Sequence, residues 1–192
     1  RIGAIHSVVF GGCASNELAS RIDDSKAKLL VTASCGFEPG RTVEYKPLVD
    51  EAIKIANHKI EKMILFQRPR HEVNLNAPSE VSWEEVISNA KEADCVEMNS
   101  NELAYILYTS GTTGTPKGIV RDIGGHIVAL KWTMKNIYNI DADDIWWSAS
   151  DIGWIVGHSY IVYAPLFKGC TTVLFEGKPV GTPDAGAFWK II

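Results

Sequence analysis

Short apolar runs alternate along the chain with segments whose apolar positions recur at helical spacing. The runs predict strands or extended segments at Ala4–Phe10, Leu29–Ala33, Met63–Phe66, Leu103–Tyr108, Gly118–Val120, Ile145–Trp147 and Val173–Phe175. Helices are predicted over Asn16–Ala27, Leu48–His58, Trp83 to about Ala93 and Gly124–Tyr138, and another begins near Asp184. This alternation is typical of the α/β class, with a largely parallel sheet flanked by helices. No linker is evident, so the chain is interpreted as one domain or part of one.

Local signals mark several helix starts. Ser15 is predicted to cap the first helix, and Pro47 suits the first turn of the second. Ser82 followed by Glu85 forms a capping box that opens the third helix. The glycine- and proline-containing segment Ser34–Gly40 is predicted to be a loop.

Composition and charge exclude several classes of function. The 192 residues carry a net charge of −4, with 46% apolar and 22% charged residues, as in an ordinary globular protein. We therefore expect no nucleic-acid partner. No run of roughly 18 apolar residues predicts a membrane span. Four cysteines without CxxC spacing fit reduced thiols better than a zinc site, and two disulfides are the alternative.

The segment Thr109–Gly118 (T-S-G-T-T-G-T-P-K-G) directly follows a predicted strand. Its glycines allow the backbone to approach an anion, its hydroxyls add donors, and Lys117 adds a positive charge. These properties suit a polyphosphate. The glycine spacing differs from a Walker A loop, which excludes a P-loop kinase or hydrolase of that type. By composition alone, a flexible surface turn is the alternative.

The run Tyr108–Gly118 resembles the phosphate-binding segment of the adenylate-forming enzymes, which include acyl-CoA synthetases and peptide-synthetase adenylation domains. The resemblance implies that this loop wraps the ATP phosphates. It assigns seven residues to the triphosphate: Thr109, Ser110, Gly111, Thr112, Thr113, Gly114 and Lys117.

A second motif, Trp146–Tyr160, is similar to the D-x-G-W-x-x-G-H-S-Y segment of short-chain acyl-CoA synthetases. The resemblance implies that Trp154 closes an acyl pocket, with Ile155 and Val156 as further wall residues. Acetyl-CoA synthetases commonly have Thr where Val156 stands. Without the resemblance, this aromatic segment reads as packed core. Asp151 is expected to orient the loop through backbone hydrogen bonds, and His158 either positions a ligand or is a core histidine.

The N-terminal segment up to Gly12 is similar to the same synthetases, in which these glycines help to form the CoA wall. The resemblance implies CoA contacts at Gly12 and Arg41, although a solvated loop arginine is the alternative for Arg41. Glu38 replaces an arginine of the acetyl-CoA synthetases and is expected to repel a phosphate. Glu38–Arg41 and Glu176–Gly186 instead resemble the propionyl-CoA synthetase branch.

The resemblance implies a two-step ligase reaction. A short carboxylate, propionate by preference, attacks ATP to give an acyl-adenylate and pyrophosphate, and CoA then displaces AMP. Mg²⁺ would neutralise the phosphates. Acetate activation and a binding module without turnover are the alternatives. The resemblance also implies a mitochondrial matrix location, with the cytoplasm as the alternative. The chain is interpreted as part of an N-terminal AMP-binding domain without its C-terminal domain, and is expected to be inactive in isolation.

Overall fold

The structure, a computed structural model, describes residues 2–76, 78–109, 116–178 and 181–192. Its elements in chain order are α1 (Ser15–Ser25), β1 (Leu29–Ala33), β2 (Cys35–Glu38), β3 (Arg41–Glu44), α2 (Tyr45–Ile55), β4 (Lys62–Phe66), β5 (Glu80–Ser82), α3 (Trp83–Ser88), β6 (Leu103–Thr109), β7 (Lys117–Asp122), α4 (Ile123–Asn136), β8 (Ile145–Trp146), α5 (Ile155–Gly157), a π-helical segment (His158–Tyr163), α6 (Ala164–Lys168), β9 (Thr171–Thr172) and α7 (Ala187–Ile191). The mixed α/β class predicted from the sequence is confirmed.

The chain forms two compact units. We call Gly11–Lys91 with Glu176–Ile192 the sheet unit, and Arg1–Phe10 with Glu92–Phe175 the hairpin unit. Each has its own buried core, and each is described by itself.

The sheet unit is built on a parallel sheet with strand order β1-β4-β5. Strand β4 turns Met63 and Leu65 inward, where they pack with Val49 of α2. Helices α1 and α2 bury Ala19, Ile22 and Ala52 against each other. The alternation of inward and outward residues along β4 follows the two-residue period of a strand. Strands β2 and β3 form a separate antiparallel hairpin.

The hairpin unit contains the antiparallel pair β6–β7 and the short parallel pair β8–β9. Helix α4 follows β7 directly, and its N-cap is Asp122, whose carboxylate accepts a hydrogen bond from Gly125 N at 3.2 Å. Residues Leu130 and Met134 of α4 pack against Ala164 of α6 and Cys170. Helix α5, the π-helical segment and α6 follow one another directly.

Several sequence predictions are wrong in detail. Among the described residues, the predicted strand Ala4–Phe10 forms only an isolated bridge between His6 and Tyr105. Helix α1 has Ala14 at its N-cap, so Ser15 lies inside the helix. The predicted strand Val173–Phe175 does not form in the described part of the chain, because β9 ends at Thr172 and Val173 N adds only one hydrogen bond, to Trp146 O at 2.9 Å. The two strand errors share a cause, because residue propensity does not report whether a pairing partner lies within reach.

Two further segments differ from expectation. The predicted loop Ser34–Gly40 contains strand β2. The capping interaction of Ser82 with Glu85 N is present at 3.0 Å, yet the helix that it opens ends at Ser88 rather than near Ala93. All four cysteines lie within the described residues and are free thiols; Cys35 and Cys170 are buried.

Candidate functional site

The predicted phosphate loop connects two paired strands of the hairpin unit. Strand β6 ends at Thr109 and β7 begins at Lys117, and these two residues lie opposite each other in the antiparallel register. Residues Ser110, Gly111, Thr112, Thr113 and Gly114 lie outside the described residues, so their assignment to phosphates stays a prediction. The structure therefore places the two ends of the loop side by side, at one end of a two-stranded ribbon.

Packing at the base of this loop explains the glycine that follows Lys117. A Cβ on Gly118 would lie 3.0 Å from Ile106 Cγ2 and 3.3 Å from the Tyr108 ring. Tyr108 is opposite Gly118 across the hairpin, so its ring occupies the space that a larger side chain would need. Lys117 itself is exposed and has no carboxylate partner among the described residues. Its assignment to the ATP phosphates stays a prediction.

The second motif forms a turn, Asp151–Trp154, that leads into α5. Asp151 Oδ1 accepts a hydrogen bond from Gly153 N at 2.7 Å, and Asp151 O accepts one from Trp154 N at 3.0 Å. The predicted orienting role of Asp151 is confirmed by these contacts. A Cβ on Gly157 would overlap the backbone oxygen of Asp151, so the first turn of the helix can approach Asp151 only with glycine at this position.

Trp154 is 54% exposed and Val156 is 58% exposed, and Ile155 is half-buried. The Trp154 ring lies beside Phe10, with ring centroids 6.1 Å apart. All three side chains lie at the start of the helix, and their assignment to an acyl pocket stays a prediction.

A cluster of histidine and tyrosine rings lies beneath this turn. It comprises His6, Tyr105, His126, His158 and Tyr163. Tyr105 and His158 are only 1% and 2% exposed, and their ring centroids are 4.5 Å apart. Tyr105 belongs to β6, the strand that leads into the phosphate loop. The cluster therefore packs this strand against His158, four residues after Trp154.

Burial disfavours the protonated form of the histidines in this cluster. It lowers the pKa of His6 and of His126, and burial together with the neighbouring His6 lowers the pKa of His158 to about 4. Burial also raises the pKa of Tyr105. No sequence pattern groups His6 and His126 with His158, since they are far apart along the chain.

The candidate CoA residues belong to the sheet unit. Gly12 has a φ of +81°, a conformation that favours glycine. Arg41 begins β3 and lies opposite Glu38 of β2. Pro39 and Gly40, with a φ of +76° at Gly40, form the two-residue connection, as expected of a Pro-Gly turn.

Glu38 is held between two cations. Its Oε2 accepts hydrogen bonds from Arg41 Nε at 2.8 Å and Nη2 at 2.6 Å, and its Oε1 accepts one from Lys178 Nζ at 2.8 Å. These bonds, that from Lys178 first, lower the pKa of Glu38. The expected repulsion of a phosphate by Glu38 is therefore offset, because the three side chains together carry one net positive charge. Lys178 was missed from sequence, although the Pro-Gly turn could have shown that Glu38 and Arg41 would pair.

Comparison with known proteins identifies the family of this chain. The model of the family described as "AMP-binding enzyme" matches residues 1–192. This chain belongs to the AMP-binding enzyme family. The human protein "Acyl-CoA synthetase short-chain family member 3, mitochondrial" is 56% identical over 100% of this chain and 28% of its own length. "Propionate--CoA ligase" of Escherichia coli (strain K12) is 45% identical over 100% of the chain and 31% of its own length.

Among solved structures, "Acetoacetyl-CoA Synthetase from Streptomyces lividans" matches with a TM-score of 0.80 and 23% identity. The match covers 93% of this chain and 26% of that one, and it shows the fold. The AMP-binding chain thus spans less than a third of the length of these curated relatives. In the part of the chain that the structure describes, no helix is long and apolar enough to cross a membrane.

Proposed function

We propose that the protein activates a short-chain carboxylate, preferably propionate, with ATP and transfers the acyl group to CoA. The carboxylate attacks the α-phosphorus to give an acyl-adenylate and pyrophosphate, and the CoA thiol then displaces AMP. The observation that carries the proposal is identity of 56% and 45% over the whole chain to a short-chain acyl-CoA synthetase and a propionate–CoA ligase. We propose that the chain is part of a larger N-terminal AMP-binding domain.

The ATP phosphates would be held by the loop between β6 and β7. Three adjacent phosphates need surrounding donors and cations before they can leave water. The side-by-side position of Thr109 and the exposed Lys117 supports this role, because it puts a hydroxyl and an ammonium at the two ends of one loop. Mg²⁺ would bind with ATP and neutralise part of the phosphate charge.

The acyl group would lie against Trp154, Ile155 and Val156. Their display at the start of α5 supports this assignment, and an indole at the end of a pocket leaves no space for a long acyl chain. CoA would meet Gly12 and Arg41, and Lys178 adds a second cation beside Arg41. A mitochondrial location, in the matrix, is proposed because the human relative's name includes the word "mitochondrial".

The test uses the full-length protein and measures AMP release that depends on both ATP and CoA, with acetate, propionate, butyrate and octanoate. The proposal expects the highest kcat/KM with propionate and no turnover with octanoate. A maximum with acetate would keep the reaction and reassign the preferred acid. ATP binding without turnover of any acid would favour a binding module and overturn the proposal.

A further inference from the structure

The turn that presents Trp154 is fixed by His158 from the buried side. His158 Nδ1 lies 3.1 Å from the carbonyl oxygen of Ile152, inside the Asp151–Trp154 turn. A carbonyl can only accept a hydrogen bond, so Nδ1 must carry the proton and donate it. The backbone N–H of His158 also donates to Trp154 O at 2.8 Å. One residue therefore holds two successive parts of the turn.

The tautomer of His158 fixes that of His6. With the proton on Nδ1, the neutral His158 ring offers an acceptor at Nε2, and His6 Nε2 lies 3.0 Å away. His6 must donate from Nε2 to complete this bond. The result is a directed chain of hydrogen bonds from His6 to His158 and on to the carbonyl of Ile152. The lowered pKa of His158 agrees with this chain, because its Nε2 accepts a hydrogen bond only when the ring is neutral.

The segment that carries His6 also contacts the Asp151–Trp154 turn through Phe10. Four residues after His6, the Phe10 ring lies beside the Trp154 ring. The backbone of Phe10 also packs on Gly153, where a Cβ would lie 3.0 Å from Phe10 Cα. His6 is itself anchored, because its carbonyl accepts a hydrogen bond from Ile106 N of β6 at 2.9 Å. The turn is thus held in place by contacts with His158 and with the segment from His6 to Phe10.

We propose that His158 and His6 are positioning residues for the acyl-binding step: His6 donates to His158, which donates to the Ile152 carbonyl and so fixes Trp154 in the orientation that sets acid selectivity. The role in selectivity rests on the proposed function of Trp154. The role in holding the turn does not, and the two are tested separately.

The variants follow from the geometry of the two hydrogen bonds. His158→Asn keeps an amide donor near the Nδ1 position, and His6→Gln keeps one near the Nε2 position. His158→Ala and His6→Ala each remove the hydrogen-bond donor at their position. His126→Ala is the matched control, because His126 is buried in the same cluster but hydrogen-bonds Tyr105, at 3.2 Å, instead of the turn.

The first measurement is fluorine NMR of the full-length protein labelled with fluorotryptophan, with the Trp154 signal assigned by its loss in Trp154→Phe. His158→Ala and His6→Ala should shift or broaden that signal, and His158→Asn and His6→Gln should largely restore it. His126→Ala should leave it unchanged. An unmoved Trp154 signal in both alanine variants, or an equal change in the control, would overturn the proposal.

The second measurement is the KM for the acid and the KM for ATP in the same variants. We expect His158→Ala to raise the acid KM about tenfold, the factor that corresponds to one lost hydrogen bond, with a much smaller change in the ATP KM. Equal changes in both KM values would overturn the role in selectivity. If Trp154→Ala leaves acid selectivity unchanged, the assignment of Trp154 to the pocket fails, and the NMR result alone decides the role in holding the turn.

Discussion

At the scale of single residues, Lys117 is the side chain whose charge the proposed reaction needs most directly. It is exposed, and among the described residues it has no acidic partner. Removing it therefore breaks no ion pair that the structure describes.

We expect Lys117→Ala to lower kcat/KM for ATP by roughly ten- to a hundredfold, as for the loss of a hydrogen bond to a charged group. The measurement is steady-state AMP release at varied ATP. Lys131→Ala, which removes an exposed lysine of α4 in the same unit, is the control and should have no effect. An equal loss in both variants would point to net charge instead of a phosphate contact.

A substitution at Val156 tests the proposed acyl pocket, again at the scale of single residues. Val156→Thr keeps the side-chain shape and adds a hydroxyl, as at the corresponding position of many acetyl-CoA synthetases. We expect the ratio of kcat/KM for acetate over propionate to rise a few-fold, because pocket changes of one small group are worth about 1–3 kcal/mol or less. Val128→Thr, on the exposed surface of α4, should leave the ratio unchanged. An unchanged ratio in Val156→Thr would remove Val156 from the pocket.

At the scale of elements, the β2–β3 hairpin shows how a turn can determine which charged side chains pair. Its Pro-Gly connection brings Glu38 and Arg41 opposite each other, and Lys178 joins them from the segment before α7. The pairing leaves both cations beside a carboxylate that a CoA phosphate would have to displace or share.

We therefore expect Glu38→Gln to lower the KM for CoA by about two- to fivefold and Arg41→Ala to raise it by a similar factor, since exposed ion pairs are worth about 0.2–1 kcal/mol. Both effects should shrink in high salt because screening weakens exposed charges. Glu51→Gln, in the exposed pair with Lys54 on α2, is the control. A rise in the CoA KM for Glu38→Gln would show that Glu38 orients Arg41 instead of competing for it.

At the scale of the whole molecule, the buried histidines predict a pH dependence of stability. The folded pKa of His158 is about 4, below its ordinary value of 6.5, so the unfolded chain binds more protons between these two pH values. The free energy of unfolding must then fall as pH drops from about 6.5 towards 4, by at most about 1.4 kcal/mol per pH unit for each such histidine. His6 and His126 shift in the same direction.

Thermal unfolding of the full-length protein between about pH 7.5 and about pH 5 checks this expectation. His158→Asn removes one of the titrating groups, so its Tm should fall less steeply with decreasing pH than that of the unaltered protein. Parallel Tm curves for the two proteins would show that His158 is protonated as readily in the folded as in the unfolded state.

The sequence by itself determined the α/β class, most of the helices and strands, and the loop between β6 and β7. Those features depend on local causes, such as the apolar period of β4, the cap at Ser82 and the glycines near Lys117. Tertiary structure decided the features that these local causes do not determine. It left Ala4–Phe10 without a strand partner beyond one bridge, and it placed His6 and His126 against His158. It also brought Lys178 to Glu38, because contacts between distant residues depend on how the elements pack and not on their neighbours in sequence.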